Sequence, residues 1–240
     1  MKVISLKIII IFISRSSSST LPPMMYYPCS QEYSQENILY PSCIPAMCGV
    51  VTRHQFIPPA LAQSLMAEIL SLTSHLHQVF TAMDLHTHTL VRDGVMHKMD
   101  YGEDVTLIQM LVPVVDKVGM LVKKQFNSSK MQLTFPLVVS MISPGYTPVQ
   151  YTSPHVDLYS YRDTAPHVTA VLYLTGGTSG GQLSIEGRGS VSPTQGGLVV
   201  FTAGEENTHW VEEGSPCFGL VTMSSGWRFK LGMFRIGKML

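Results

Sequence analysis

The chain has 240 residues, of which 45% are hydrophobic and 13% charged, and its 16 basic and 16 acidic side chains give a formal net charge of zero. This composition is typical of one compact domain with a sizeable core and favours a globular protein over an intrinsically disordered one. No basic patch with interleaved aromatic residues is visible in the neutral chain, so we predict that nucleic acid is not a partner.

The first twenty residues have the character of a short targeting segment. Lys2 and Lys7 precede the apolar run 8–13, and Arg15 follows it. This run is far shorter than the roughly twenty residues that span a bilayer, so no transmembrane span is predicted. The Asn127-Ser128-Ser129 sequon favours the secretory pathway and the endoplasmic reticulum. A cytoplasmic protein with an exposed N-terminal tail is the alternative.

Residues 21–50 are rich in proline and predict an extended linker, so residues 1–50 are interpreted as a leader plus linker. Cys29, Cys43 and Cys48 lie in this segment, and Cys217 lies far from it. Four cysteines permit three disulfide pairings or none. A zinc site is the less favoured alternative, because the spacing matches no familiar zinc finger.

Two stretches of region 51–130 have helical periodicity. Apolar residues recur at helical spacing from Pro59 to Leu70 and again from Leu107 to Val122, which predicts helices that pack outside a β core. Five histidines lie in or between these helices: His75, His77, His86, His88 and His97. No cysteine or paired carboxylate supports them as ligands, so we assign them no metal-binding role.

From residue 131 onward the pattern changes to short strands separated by glycine-rich turns. Apolar or alternating runs predict strands at 131–140, 168–175, 182–185, 198–201 and 218–223. Glycine-rich segments at 176–181 and 187–197 predict the turns between them. Many short strands with such turns are typical of a β-sandwich or a jelly roll.

Two histidines and one aspartate in this region form a candidate metal site. His155 and Asp157 are two residues apart, so on a strand they project from the same face, and His209 would approach from a neighbouring strand. Two imidazoles and one carboxylate on one face of an octahedron leave three positions open, as non-haem Fe(II) oxygenases require. A closed structural zinc site would leave none.

The order PHVD (154–157), VLYLT (171–175), GGQLSIEG (180–187) and SVSPTQGGLVVFTAGEENTHWV (190–211) resembles the core of a known family. That family is the 2-oxoglutarate and Fe(II)-dependent dioxygenases, specifically the prolyl 4-hydroxylase-like group. The resemblance implies an α+β, mainly β fold, in which a double-stranded β-helix (jelly-roll) core over 131–230 carries the N-terminal helical support region 51–130 on its outside. It also implies that His155, Asp157 and His209 bind iron and that Tyr173 binds 2-oxoglutarate.

The same resemblance implies hydroxylation of a peptide or protein side chain, with proline as one candidate target. Fe(II) and 2-oxoglutarate would be required, ascorbate is a further candidate cofactor, and no catalytic side chain is expected beyond the metal ligands. Family members place an Arg or Lys nine or ten residues after the distal histidine to pair with the 2-oxoglutarate carboxylate. Phe218 and Gly219 occupy that place here.

Four basic residues are candidate replacements for the missing cation: Arg162, Arg188, Arg228 and Lys230. If none of them serves, the alternative is a pseudoenzyme or a metal-binding jelly-roll module that has lost 2-oxoglutarate binding.

Overall fold

The computed structural model describes residues 20–31, 33, 45–72, 80–84, 89–92, 95–98, 105–127, 137–141, 153–157, 167–176, 181–212 and 227–231. The described strands are β1 Met24–Tyr27, β2 Cys48–Arg53, β3 Phe80–Asp84, β4 Thr89–Arg92, β5 Val95–Lys98, β6 Leu137–Met141, β7 Val168–Tyr173, β8 Leu183–Ile185, β9 Gly189–Val191, β10 Leu198–Thr202, β11 His209–Val211 and β12 Trp227–Leu231. The helices are α1 Pro59–Leu72 and α2 Val105–Gln125, and a 3₁₀ turn spans Glu205–Asn207.

These strands form two antiparallel sheets. Within the described residues, the larger sheet has nine strands in the order β1-β2-β10-β7-β12-β6-β3-β4-β5, and the smaller has three in the order β11-β8-β9. Strands that are consecutive in the sequence are often not adjacent in a sheet, so many strand pairs join distant parts of the chain. β7, for example, lies between β10 and β12.

Strand β7 shows how the core is divided between two layers. Val168, Ala170 and Leu172 pack in the cluster that contains the helix residues, whereas Val171 and Tyr173 pack with residues of the smaller sheet. Because alternate residues of a strand point to opposite faces, an almost wholly apolar strand must be covered on both sides. The predicted strand at 168–175 is therefore confirmed as a central, fully buried strand.

The two predicted helices are confirmed, and they cover one face of the larger sheet. Leu65 and Ile69 of α1 and Leu107 and Leu111 of α2 are buried in the same cluster as Leu172. Three strands, β3 to β5, lie between the helices along the chain, which the periodicity did not predict. No described helix is long and apolar enough to cross a membrane.

The prediction of an extended linker over residues 21–50 is wrong for the residues in this range that the structure describes. β1 pairs with β2 from Met24↔Val51 to Tyr27↔Cys48, and Leu21 is buried between the sheets. A disulfide joins Cys29 to Cys48. It selects one of the pairings that the sequence left open and excludes these two cysteines as zinc ligands. Cys43 and Cys217 lie outside the described residues.

Most of the other strand predictions are confirmed. β8 and β10 match the runs at 182–185 and 198–201, and β6 occupies the described end of the run at 131–140. The run at 218–223 lies outside the described residues, and the strand near the end of the chain is β12. Of the five histidines set aside, His97 lies on β5, and the other four are outside the described residues.

Candidate metal centre

His155, Asp157 and His209 meet at one end of the space between the sheets. His209 begins β11, but His155 does not lie on a regular strand as predicted: it forms an isolated antiparallel bridge with His209. Each of the two backbone N–H groups donates to the other residue's carbonyl, at 3.0 and 2.9 Å. This pair of hydrogen bonds sets the two imidazoles side by side, with ring centroids 4.4 Å apart.

The ligand atoms of the three residues lie within 4.8 Å of one another, and His209 Nε2 is 3.7 Å from Asp157 Oδ2. Asp157 and His209 are only 3% and 4% exposed, and His155 is partly exposed. Ligand bonds of about 2.0–2.2 Å place neighbouring ligand atoms roughly 3 Å apart. Small side-chain rotations would therefore bring one ligand atom of each of the three residues to bonding distance from one ion.

Backbone carbonyls fix the tautomer of both histidines. His155 Nδ1 lies 2.8 Å from the carbonyl of Ser153, and His209 Nδ1 lies 2.9 Å from the carbonyl of Asn207. A carbonyl oxygen only accepts hydrogen bonds, so each Nδ1 must carry the proton. In the neutral imidazoles, each Nε2 then presents its lone pair, which is the state that a metal ligand requires.

The carboxylate of Asp157 is oriented by a threonine that the motif reading missed. Thr169 lies on β7, is fully buried, and donates from its hydroxyl to Asp157 Oδ2 at 2.6 Å. Phe201 of β10 packs edge-on against the His209 ring at 4.6 Å between centroids. A signal of burial for Thr169 was present in the sequence, because it is the one Ser or Thr inside the apolar run of β7.

Tyr173 lies on the same face of β7 as Thr169 but four residues further along, about 13 Å at the usual rise of a strand. It is buried between the sheets, and a cavity of about 90 Å³ opens beside it. Leu21, Arg53, Val191 and Leu198 contribute to the cavity wall, which does not include the three metal-site residues. The structure thus places Tyr173 at the opposite end of this interior from the metal centre.

Among the four candidate cations, the strand register favours Arg228. On β12, Arg228 is the direct partner of Tyr173, and Lys230 is the partner of Val171. Directly paired residues of an antiparallel sheet belong to the same face, so both positions are on the Tyr173 face. Arg188 instead stacks over the Tyr27 ring at 3.8 Å. Arg162, Phe218 and Gly219 lie outside the described residues.

Comparison with known proteins shows the fold. No family model matches the sequence, and no curated protein does. A prolyl-4-hydroxylase from Pseudomonas putida is 21% identical and superposes with a TM-score of 0.52 over 86% of this chain and 98% of that one. A prolyl hydroxylase from Trichoplax adhaerens, in complex with a hypoxia inducible factor peptide fragment, is 14% identical, with a TM-score of 0.50 over 86% and 94% of the two chains.

A third similar structure, NgTET1 in complex with 5mC DNA, is 14% identical and gives a TM-score of 0.52 over 77% of this chain and 71% of that one. At these identities the likeness concerns the fold alone. Prolyl hydroxylases have a jelly-roll fold, and the two antiparallel sheets and two helices described here agree with it. The chain therefore shares its overall fold with these solved structures.

Proposed function

We propose that this protein is an Fe(II)- and 2-oxoglutarate-dependent oxygenase that hydroxylates a peptide or protein side chain. The observation that carries the proposal is the convergence of two imidazoles, each with its Nδ1 within 2.9 Å of a backbone carbonyl, and one buried carboxylate, with the ligand atoms all within 4.8 Å of one another. This donor set suits Fe(II) and leaves open positions for a bidentate cosubstrate and O₂. Iron and 2-oxoglutarate bound together would supply the oxidising chemistry.

In this proposal the chain's own residues hold and shield the reaction centre. His155, Asp157 and His209 are the metal ligands, and the Thr169 hydroxyl keeps the Asp157 carboxylate in one orientation. The packing of Phe201 against His209 excludes water from one side of the ligand set. No other side chain is assigned a catalytic role, and ascorbate remains a candidate cofactor on the family resemblance alone.

The distal carboxylate of 2-oxoglutarate would be held at the other end of the interior by Tyr173 and Arg228. Two facts support this assignment: Tyr173 is buried beside a cavity, and Arg228 is its register partner, which puts both positions on one sheet face. A charge-assisted pair of this kind is worth roughly 1.5–3 kcal/mol. Arg228 of β12 would then take the role of the basic residue that the family has where this chain has Phe218 and Gly219.

A peptide or protein is the substrate class that we favour, with proline as the specific candidate. The Trichoplax protein of the same fold is in complex with a peptide fragment, whereas NgTET1 is in complex with DNA. The fold therefore accommodates both kinds of partner. The zero net charge supports the choice of a peptide, because affinity for nucleic acid comes largely from basic side chains that neutralise phosphates.

Anaerobic metal binding tests the ligand assignment. The wild type should bind one equivalent of Fe(II), and His155→Ala, Asp157→Ala and His209→Ala should each lose stoichiometric binding, because removing one of three ligands leaves two. His54→Ala is the matched control, since His54 is exposed and does not belong to the ligand group. If His155→Ala or Asp157→Ala retains one tightly bound iron, the assignment is wrong.

The carboxylate assignment is tested with two variants of one strand. Arg228→Met should weaken 2-oxoglutarate binding to the metal-loaded protein by about 10- to 150-fold, which corresponds to the 1.5–3 kcal/mol of a charge-assisted pair. Lys230→Met, on the same sheet face but opposite Val171, is the control and should change it little. Equal affinities of Arg228→Met and the wild type would refute the role of Arg228.

Substrate class is tested by 2-oxoglutarate turnover. Succinate formation should rise when a library of unstructured proline-containing peptides is added, and mass spectrometry should find a gain of one oxygen in the active peptides. Stimulation by DNA and not by peptides would contradict the substrate proposal. Iron binding without any 2-oxoglutarate binding would favour the pseudoenzyme.

A further inference from the structure

The orientation of His209 depends on the backbone of Asn207. The His209 ring donates from Nδ1 to the Asn207 carbonyl at 2.9 Å, while the His209 backbone is paired with His155. If the Asn207 carbonyl moved, the imidazole would lose the partner that fixes its tautomer and plane. The residues that hold Asn207 therefore act on the metal site without touching it.

The side chain of Asn207 is fully buried and joins three strands. Its Nδ2 donates to the Thr202 carbonyl of β10 at 2.8 Å and to Thr202 Oγ1 at 3.0 Å, and it lies 3.3 Å from the Gly49 carbonyl of β2. Its Oδ1 accepts a hydrogen bond from the Tyr27 hydroxyl of β1. Burial raises the pKa of Tyr27 well above its usual value, so the phenol stays protonated and remains a donor.

The residue before Asn207 is held by the same N-terminal part of the chain. The Glu206 carboxylate accepts from the Thr202 hydroxyl at 2.6 Å and from the backbone N–H of Ser30 at 3.2 Å. The Tyr33 hydroxyl accepts from the backbone N–H of Gly204 at 3.0 Å. The turn that leads into His209 is therefore hydrogen-bonded at two points, Gly204 and Glu206, to residues that precede β2.

A disulfide links the two N-terminal strands, β1 and β2, near these contacts. Cys29 follows β1 by two residues and Cys48 begins β2, directly opposite Tyr27, so the bond fixes the end of the strand pair that carries the Asn207 partner. Gly49, next in the chain, has a φ of 156°, and a Cβ there would collide with the Met25 carbonyl. The close approach of β1 to β2 at this point thus depends on both the disulfide and the glycine.

We propose that Asn207 is a positioning residue for His209 and that the N-terminal strand pair β1–β2, closed by the Cys29–Cys48 disulfide, completes this positioning. The inference rests on the proposed metal site. It assigns a role in metal affinity to residues 24–31 and Tyr33, and none of these described residues belongs to the ligand group of the metal site. Loss of the disulfide or of the Tyr27 hydroxyl should loosen the site while leaving all three ligands in place.

Two adjacent tyrosines of β1 provide a matched test. Tyr27 donates to Asn207, whereas Tyr26 donates at 2.7 Å to Gln125 at the end of α2. Both Tyr27→Phe and Tyr26→Phe remove one hydroxyl from the same strand. Under anaerobic conditions, Mn²⁺ affinity should fall roughly 3- to 10-fold in Tyr27→Phe, less than the 10- to 100-fold of a direct partner of a ligand. It should be unchanged in Tyr26→Phe.

Two further variants test the rest of the support. Asn207→Ala should lower Mn²⁺ affinity by about 10-fold or more, and the double variant Cys29→Ser/Cys48→Ser should resemble Tyr27→Phe. A second readout does not require metal. In the metal-free protein, ¹⁵N NMR of the His209 ring should show the Nδ1–H tautomer in the wild type and in Tyr26→Phe, and a mixture of tautomers in Tyr27→Phe. A general loss of stability in a folded protein would not produce this difference.

The outcomes separate the two proposals. If the wild type binds no metal, the proposed function fails, and the tautomer measurement still decides whether Asn207 and its partners position His209. If Tyr27→Phe, Asn207→Ala and the cysteine variant all fold, bind Mn²⁺ as the wild type does and keep the Nδ1–H tautomer, the positioning role is overturned. Because Asn207→Ala removes a buried amide and is the variant most at risk of unfolding, Tyr27→Phe is the decisive one.

Discussion

The hydrogen bond from Thr169 to Asp157 should control both stability and metal binding. Thr169 is 0% and Asp157 3% exposed, and the hydroxyl lies 2.6 Å from the carboxylate oxygen. Because both groups are out of water, the carboxylate cannot replace the lost donor with solvent when Thr169 is changed to Val, a residue of nearly the same shape. A hydrogen bond to a charged group contributes about 1.5–3 kcal/mol, and the short distance places this one toward the upper end.

We therefore expect Thr169→Val to lower the free energy of unfolding of the metal-free protein by about 1.5–3 kcal/mol. Urea denaturation followed by circular dichroism measures this loss. The same substitution should weaken Mn²⁺ binding by about 10- to 100-fold, because the ligand oxygen is no longer held in one orientation. Anaerobic isothermal titration calorimetry measures the affinity.

Thr169→Ser is the control for these two measurements, because it keeps the hydroxyl and removes only a methyl group. It should lose roughly 1 kcal/mol of stability and retain near wild-type metal affinity. If Thr169→Val binds Mn²⁺ as tightly as the wild type, the carboxylate does not depend on this donor, and the reasoning about ligand orientation is refuted.

Three further predictions concern the scaffold, and urea denaturation checks each of them. Leu172→Ala should cost about 2–5 kcal/mol because it leaves a cavity between the large sheet and the helices; a loss under 1 kcal/mol would mean that this layer repacks freely. Gly49→Ala should cost more than about 1 kcal/mol, since alanine cannot adopt the φ of 156° beside the Met25 carbonyl without strain; wild-type stability would contradict that geometry. Lys117→Met should cost about 1 kcal/mol through loss of the hydrogen bond to the Phe56 carbonyl and of the contact 4.5 Å from its ring centroid; an unchanged midpoint would show that solvent screens both interactions.

Long or strongly apolar elements could be predicted from the sequence. The periodic runs from Pro59 and from Leu107 both became helices, and the run at 168–175 became a strand buried on both faces. In each case many residues carry the same signal, so one exception does not change the interpretation. The structure also brings His155, Asp157 and His209 together, as their spacing suggested, although metal binding by them stays a prediction.

The N-terminal strands could not be predicted in the same way. Met24–Tyr27 is flanked by prolines, which favour an extended linker, yet it lies at the edge of the sheet, where a neighbouring proline is tolerated. Its partner β2 comes after a long separation, and only the disulfide of Cys29 with Cys48 makes the connection plain. Cysteine count alone leaves the pairing undetermined.

The supporting residues of the site were missed for a related reason. Thr169 lies inside an apolar run, which indicates burial but no partner, and nothing in the local pattern of Asn207 distinguishes it from a surface side chain. Their significance lies in contacts through space, with Asp157 and with the backbone that orients His209. Likewise, the relation of Arg228 to Tyr173 is visible only in the strand register and not in the distance from His209 along the chain.

The central claim is most directly tested by an anaerobic titration of the Fe(II)-loaded protein with 2-oxoglutarate. Chelation of iron by the keto acid produces a visible charge-transfer band. We predict a saturable band in the wild type, no band in His155→Ala, and a midpoint shifted to higher 2-oxoglutarate concentration in Arg228→Met. A wild-type protein that holds iron but gives no band at any 2-oxoglutarate concentration would contradict the assignment as an oxygenase.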